Sequence, residues 1–319
     1  MPVVNIPRSC SRARCAFKIA LLARRFRPQI IQAQHFYANP YAALAGRLLR
    51  VRSVGAVRNS GAAELNANGP LLRHMASRWP DLLLCNSEAA RQRLAAVGVD
   101  RKNLAVLPNV VDTSLFPAVQ HSRHEPTRIL GIGRLTGQKR FDRFLRLISQ
   151  VAASGLPVSA HLVGNGSLRR DLERQADTLG LREYVTFHGE QQDVVPYYSN
   201  ADVFLLTSDY EGSPNVVMEA AASGLPVVAS RVGDVERLVD HRLSGFLFKP
   251  QDETTAGQSL TQLARDVDLR RRMGAQARKK MDSERSLTTL APLLEQLYEP
   301  LLRNKRVNQT PHGSLLARS

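Results

Sequence analysis

The sequence predicts an α/β fold with two domains, each built on a parallel sheet. Short apolar runs at residues 202–207 and 226–229 have the length and composition of buried parallel strands. The segment between them has residues typical of a helix start and ends at Gly224, so the unit is strand, loop, helix, strand. The chain has 319 residues, of which 43% are hydrophobic, and this is enough for two such domains.

The first half of the chain alternates between strand and helix patterns. The first 14 residues have no periodicity and are predicted to be irregular. The predicted strands lie at residues 29–34, 53–57, 81–85 and 104–107. The predicted helices lie at about 15–26 and 41–49, within 62–78, and after a cap at Ser87. The polar stretch at 117–127 is the predicted domain boundary.

The second half continues the alternation. The predicted strands lie at residues 128–133, 158–163, 185–187, 202–207, 226–229 and 245–248. Helices are predicted to end near residues 153 and 179, and others to lie at 191–198, 253–267, 268–283 and 287–302. Because ligands bind at the carboxyl ends of strands in open α/β sheets, the loops that follow these strands are the candidate site.

The chain is strongly basic, and its positive charge is concentrated in the first 100 residues. That part has 15 Lys or Arg against 4 Asp or Glu, which is +11 of the net charge of +16. Such a surface suits membrane headgroups or a lipid phosphate, although an Arg-rich soluble surface would give the same count. No zinc-finger spacing or helix-turn-helix pattern indicates nucleic acid binding. The basic, amphipathic helix at 15–26 either covers the sheet or contacts a membrane surface.

The cysteines indicate a reducing compartment. Cys10, Cys15 and Cys85 lack metal-ligand spacing with histidine, so we expect no metal. An odd count in a chain of this length is typical of a cytosolic protein. No apolar run reaches the roughly 18–20 residues needed to span a bilayer. The sequence therefore predicts a cytoplasmic protein, with peripheral contact at the inner face of the membrane as an open alternative.

The segment at 209–229 carries the most informative pattern. Glu211 falls in the loop, and Glu219 lies on the predicted helix, a little over one turn from its start. Ser213 suits the N-cap and Pro214 the first helical position. The free N–H groups near Ser213 and Asn215 at this helix start suit phosphate or sugar oxygens.

The two glutamates lie in the pattern Glu-Gly-x-Pro-x4-Glu-Ala, followed by Gly-x-Pro-Val. This pattern resembles the signature of the retaining glycosyltransferases of family 4, and the resemblance covers about residues 15–300. It implies the GT-B fold, in which two Rossmann-like domains face a cleft. It also implies that Glu211 lies beside the donor sugar and that Glu219 holds the ribose hydroxyls of the nucleotide.

Two further segments match the same family pattern. Gly133, Arg134 and Lys139 match a Gly-Arg-Leu…Lys element whose two cations hold the diphosphate. Two fixed cations would offset the charge that builds on a departing nucleoside diphosphate. Gly164 and Gly166 form a Gly-x-Gly turn between a strand and a helix, where a nucleotide can approach the backbone closely.

Polar residues also end the strands of the first half. His35 follows the strand at 29–34, and by the resemblance it is the active-site His or its neighbour, with Gln34 as the competing match. A satisfied, non-catalytic His is the alternative. Arg58, at the end of the next strand, would grip an anionic acceptor group or pair with a loop carboxylate.

One block of the family pattern is missing. Complete members begin with a strand, a Gly-Gly turn, a long helix and further strands, and nothing before residue 15 matches them. The resemblance therefore implies a truncated N-terminal domain. The predicted division is an incomplete acceptor-side domain at 1–118, a nucleotide-sugar-binding domain at 126–285, a helix at 286–302 that crosses back, and a disordered tail at 303–319.

The resemblance implies transfer of a sugar from a nucleotide-sugar donor to a hydroxyl acceptor, with retention and without a cofactor. The expected acceptor is a glycan or a lipid-linked molecule, in cell-envelope polysaccharide or glycolipid synthesis. Two alternatives stay open. The missing block would fit a non-catalytic nucleotide-sugar-binding protein, and a GT-B epimerase of nucleotide sugars would need no acceptor.

Overall fold

A computed structural model of the chain shows two α/β domains, and it describes residues 12–58, 69–122 and 125–303. The predicted disordered tail lies outside these ranges except for residue 303, as do the first eleven residues of the segment predicted to be irregular. Helix α1 already begins at Arg12, so that segment ends earlier than predicted. Among the described residues, no helix is both long and apolar enough to cross a membrane.

The amino-terminal domain contains a four-stranded parallel sheet in the order β1-β2-β3-β4. Its strands are β1 (Ile30–Gln32), β2 (Arg52–Val57), β3 (Leu82–Cys85) and β4 (Leu104–Val106). Its helices are α1 (Arg12–Phe26), α2 (Asn39–Leu49), α3 (Pro70–Arg78) and α4 (Glu88–Ala96). The Ser87 hydroxyl accepts the Ala90 N–H at 3.1 Å and caps α4, which confirms the predicted cap.

The carboxyl-terminal domain contains a six-stranded parallel sheet in the order β10-β9-β8-β5-β6-β7. Its strands are β5 (Thr127–Ile132), β6 (Val158–Val163), β7 (Val185–Gly189), β8 (Val203–Leu206), β9 (Val227–Ser230) and β10 (Gly245–Phe248). Its helices are α5 (Phe141–Ala153), α6 (Arg169–Thr178), α7 (Val195–Ser199), α8 (Asn215–Ala222), α9 (Val235–Leu238), α10 (Glu253–Arg265) and α11 (Val267–Lys280).

Two apolar cores fix the helices of this domain to the sheet. Phe144 and Ile148 of α5 are fully buried in one core. Val217 and Met218 of α8 are buried in the other, where they meet the apolar side chains of β8 and β9. Because α8 is anchored through these neighbours, Glu219 has a fixed place beside them.

The starts of α7 and α8 differ from the prediction for reasons that the structure shows. Pro214 has an extended backbone (φ −74°, ψ 116°) and is itself the N-cap, so α8 begins at Asn215 and Ser213 is not the cap. Helix α7 begins at Val195 instead of residue 191, because the Asp193 carboxylate accepts the Val195 N–H at 3.0 Å, a local contact that competes with helical hydrogen bonds.

The last described helix, α12 (Leu290–Arg303), lies against the sheet of the amino-terminal domain. Its apolar residues recur at helical spacing and contact a core that contains Val54, Leu84 and Leu107. Its contacting side chains are Leu290, Leu293, Leu294, Leu297, Tyr298 and Leu301. The Tyr298 hydroxyl also donates to the Gln32 side chain at the end of β1.

In the second sheet, successive strands are added on one side of β5 and then, from β8 onward, on its other side. From β5 the chain moves outward through β6 to β7, and from β8 it moves outward on the other side through β9 to β10. The loops that follow β5 and β8 therefore lie side by side at the carboxyl edge of the sheet. This is the position at which open α/β sheets bind ligands.

Candidate functional site

Hydrogen bonds join the loop after β5 to the loop after β8. The Asp209 N–H donates to the Gln138 carbonyl at 3.0 Å, and the Gln138 amide donates to the Tyr210 carbonyl at 2.9 Å. The Thr207 hydroxyl lies 2.9 Å from the Lys139 carbonyl oxygen. These contacts fix the two loops relative to each other, so the side chains that they carry have fixed relative positions.

Lys139 and Glu211 form an ion pair across the two loops. The distance from Lys139 Nζ to Glu211 Oε1 is 2.6 Å, and the two side chains are only 14% and 8% exposed. The Ser208 hydroxyl donates to the same carboxylate oxygen at 2.6 Å. The Glu211 carboxylate is therefore fixed in place. The charges of Lys139 and Glu211 cancel, so the pair adds no net charge to the site.

Behind the ion pair, the buried Arg143 supports the second loop. Its guanidinium donates to the Thr207 carbonyl at 2.6 Å and to the Asp209 carboxylate at 2.8 Å. Burial alone would raise the pKa of Asp209, but hydrogen bonds from Arg140 and Arg143 outweigh it and lower that pKa below its ordinary value. Asp209 therefore stays ionised, and the loop keeps this anchor at neutral pH.

The two loops enclose a cavity of about 340 Å³. Five residues that the sequence predicts for the site line it: Arg134, Lys139, Glu211, Ser213 and Asn215. Arg58 and Asn109, which come from the preceding half of the chain, line the other side. The charged lining residues are three cations and one carboxylate, which is a net charge of +2. The cavity therefore suits an anionic ligand.

A second cavity, of about 580 Å³, shares one lining residue with the first. Gly133, Gly164 and Gly166 line it, and Arg134 lines both cavities. Gly164 has a φ of +133°, and a Cβ there would lie 2.0 Å from the Gly133 carbonyl oxygen. Only glycine can occupy this position, because the two loops approach too closely for a Cβ, and the predicted Gly-x-Gly turn places a glycine there. A larger cavity, of about 720 Å³, lies away from these strand ends, between His121 and α11.

The other two predicted residues lie outside the linings of these two cavities. Glu219 is half-buried one turn beyond Val216, a lining residue, and the Tyr198 hydroxyl donates to its carboxylate at 2.8 Å. Burial raises the pKa of Glu219, and the Tyr198 hydrogen bond opposes that shift. His35 is exposed beyond β1, with its ring stacked on Tyr37 at 5.4 Å between centroids.

The structure adds site residues that the sequence reasoning did not single out. Asn109 donates to the Ser213 carbonyl at 3.1 Å and to the Asn215 side chain at 2.9 Å. Asn109 belongs to a Pro-Asn segment near the predicted domain boundary, and that segment could have indicated a role at the site. Gln138 and Tyr210 also line the first cavity, and their positions directly before Lys139 and Glu211 could have indicated it. No group of three or more metal-binding side chains occurs within the described ranges.

Comparisons with known proteins identify related families. A family model described as glycosyl transferases group 1 matches residues 112–280, and one described as glycosyltransferase family 4 matches residues 1–115. The lipopolysaccharide core biosynthesis glycosyltransferase LpsE of Rhizobium meliloti is 24% identical over 270 residues, which are 83% of this chain and 74% of LpsE. The putative colanic acid biosynthesis glycosyltransferase WcaL of Escherichia coli is 29% identical over 217 residues, which are 65% of this chain and 53% of WcaL.

Solved structures share the fold. Anabaena Alr3699/HepE, solved in complex with UDP, superposes with a TM-score of 0.79 at 20% identity, over 89% of this chain and 82% of that one. The lipopolysaccharide outer core galactosyltransferase WaaB superposes with a TM-score of 0.73 at 18% identity, over 91% and 80% of the two chains. Since the first family model alone matches more than half of the sequence, this chain belongs to the glycosyl transferases group 1 family, and it has the GT-B fold.

Proposed function

We propose that the protein transfers a sugar from a nucleotide-sugar donor to a hydroxyl acceptor. The observation that supports this function best is the first cavity, where Arg134, Lys139 and Glu211 meet the start of α8. A diphosphate placed there would meet one exposed cation, one paired cation and the free N–H groups of a helix start. Each of these stabilises negative charge.

The chemistry requires little more than electrostatics. The bond from the anomeric carbon to the diphosphate breaks, and the acceptor oxygen bonds to the same carbon while its proton leaves to a phosphate oxygen. Arg134 and Lys139 would stabilise the diphosphate as it gains charge. Glu211, fixed by Lys139 and Ser208, would orient the donor sugar through its hydroxyls. Retention is part of this proposal, and NMR of the product anomer tests it.

The nucleoside would occupy the second cavity, beside Gly164 and Gly166, where the backbone is open to a ligand. Glu219 would hold the ribose hydroxyls from α8. Because the HepE structure contains UDP, uridine diphosphate is the first nucleotide to test. No metal ion or other cofactor enters this proposal, since Arg134, Lys139 and the N–H groups at the start of α8 would stabilise the charge of the diphosphate.

The acceptor would enter from the amino-terminal domain. Arg58 directly follows β2, and its guanidinium donates to the Gln34 side chain at 2.7 Å while it lines the first cavity. An anionic acceptor group, such as the phosphate of a lipid-linked sugar, would find this cation opposite the donor. LpsE and WcaL are named for lipopolysaccharide core and colanic acid synthesis, which supports an envelope glycan as product. His35 would lie on the acceptor side.

The outer surface of the amino-terminal domain supports peripheral contact with the inner face of an anionic membrane. Phe17 and Leu21 of α1 are 66% and 51% exposed, and Leu48 of α2 is also exposed. Basic residues of α1, such as Lys18, are interspersed with them. Apolar residues beside cations favour an interface with anionic lipid. Flotation with vesicles of phosphatidylglycerol, against vesicles of phosphatidylcholine alone, tests this contact.

A donor screen with product analysis tests the function. UDP-sugars are incubated with the protein, with and without a lipid-linked acceptor, and the products are identified by mass spectrometry. We expect transfer that Lys139→Ala reduces by about two orders of magnitude or more. Binding without transfer or hydrolysis would support a non-catalytic binder, and a changed nucleotide sugar without any acceptor would support an epimerase.

A further inference from the structure

Glu219 receives a hydrogen bond from a buried side chain that has no part in the mechanism above. Tyr198, on α7, is fully buried, and its hydroxyl lies 2.8 Å from Glu219 Oε2 and 3.3 Å from the Val216 carbonyl oxygen. A phenol has a single proton, and the shorter contact goes to the carboxylate. Burial and the charge of Glu219 raise the pKa of Tyr198 well above its ordinary value, so the phenol keeps this proton.

The Tyr198 ring has no freedom to move away from this contact. Phe204 of β8 lies at 6.0 Å and Phe116 of the segment between the domains at 5.8 Å, both between ring centroids. The partner is equally constrained, because Met218 and Ala220 on either side of Glu219 are buried. A rigid donor therefore meets a half-buried carboxylate whose ionised form burial disfavours.

We infer that Tyr198 is a positioning residue, which holds the Glu219 carboxylate in the orientation that binds the ribose hydroxyls of the donor. The inference rests on the proposed function, because it assumes that a nucleotide occupies the second cavity. Tyr198 itself touches no substrate. Its hydrogen bond occupies one carboxylate oxygen, favours the ionised form of the group, and restricts the side chain to one rotamer before the nucleotide arrives.

The test compares two ligands on three proteins by isothermal titration calorimetry. The proteins are the wild type, Tyr198→Phe, and the matched control Tyr197→Phe, whose ring packs on His188 instead. The ligands are UDP and 2′,3′-dideoxy-UDP, which lacks both ribose hydroxyls; GDP and ADP with their dideoxy forms replace them if UDP does not bind. Tyr198→Phe should weaken UDP binding about tenfold and change dideoxy-UDP binding less than twofold. Tyr197→Phe should change neither.

Three outcomes would overturn the inference. Equal losses for UDP and dideoxy-UDP would indicate a general loosening of the fold, and unchanged UDP binding would show that Tyr198 does not position Glu219. Wild-type protein that binds none of UDP, GDP and ADP would overturn the proposed function, and the inference with it. Nucleotide binding by the wild type therefore distinguishes failure of the inference from failure of the proposed function.

A second variant keeps the test valid if Tyr198→Phe is too unstable to purify. Glu219→Gln removes the charge that Tyr198 holds, and the double variant leaves no buried carboxylate without a donor. We expect Tyr198→Phe to cost less than twofold in UDP affinity when added to Glu219→Gln. A further tenfold loss in the double variant would show that Tyr198 acts on the nucleotide by another route.

Discussion

The Lys139–Glu211 pair allows stability and ligand binding to be separated in one experiment. Lys139→Met removes the cation and leaves the Glu211 carboxylate, only 8% exposed, with the Ser208 hydroxyl as its remaining donor. Loss of one partner from a buried ion pair costs about 3–5 kcal/mol. Because Ser208 still contributes a hydrogen bond, we expect about 3 kcal/mol at the lower end of that range. The melting temperature should fall by about 6–12 °C for a domain of this size.

The matched control is Arg134→Met, because Arg134 lines the same cavity but is exposed. It should change the unfolding free energy by less than about 0.5 kcal/mol. Both variants should weaken binding of a nucleoside diphosphate by about tenfold or more, since each removes a cation that meets the phosphates. Urea denaturation measures the first quantity and calorimetric titration the second.

A double variant decides whether this reasoning is correct. Lys139→Met with Glu211→Gln removes both charges, so no charge is left buried alone, and most of the lost stability should return. The nucleotide affinity should not return with it. A double variant no more stable than Lys139→Met would refute the role given to the buried carboxylate. Equal destabilisation by Arg134→Met would refute the distinction between the two cations.

Three further predictions concern other parts of the molecule. Gly164→Ala should destabilise the fold and abolish nucleotide binding, since its Cβ would lie 2.0 Å from a carbonyl oxygen, whereas Gly137→Ala, with nothing within 4 Å, should be neutral in both assays. Burial lowers the pKa values of His161 and His188, so the unfolded chain binds more protons, and stability should fall as the pH drops from about 7 to 5; Gln at both positions should flatten that slope in calorimetry. Arg58→Met should raise the KM of an anionic acceptor several-fold and leave UDP affinity unchanged in titration.

The sequence predicts the strands well, because a buried parallel strand is a short apolar run with clear ends. The strands at 158–163 and 245–248 have the predicted bounds. Helix starts depend on individual turns and are predicted less well. At α8, the backbone of Pro214 stays extended, and only the structure shows that the helix begins one residue later.

The candidate site is predicted as far as its residues lie on loops that directly follow strands. Arg134, Lys139 and Glu211 fall into this group. Contacts between distant segments are not visible in a single sequence, and Asn109 reaches Ser213 across more than a hundred residues. The two neighbouring tyrosines, 197 and 198, look equivalent in the sequence, and only the packing of α7 shows which of them is buried beside Glu219.

The loop that carries Glu211 also joins the two domains, and this links the geometry of the site to their docking. The Asp234 N–H donates to the Gly212 carbonyl at 2.8 Å, while the Asp234 carboxylate accepts the Glu88 N–H at the start of α4 at 3.1 Å. On the other side of the loop, Asn109 holds the Ser213 carbonyl. Asn109 therefore reaches the loop directly from the first half of the chain, and Glu88 reaches it through Asp234. A change in the docking of the domains therefore changes the loop that bears Glu211, so the cavity and the domain interface form one structural unit.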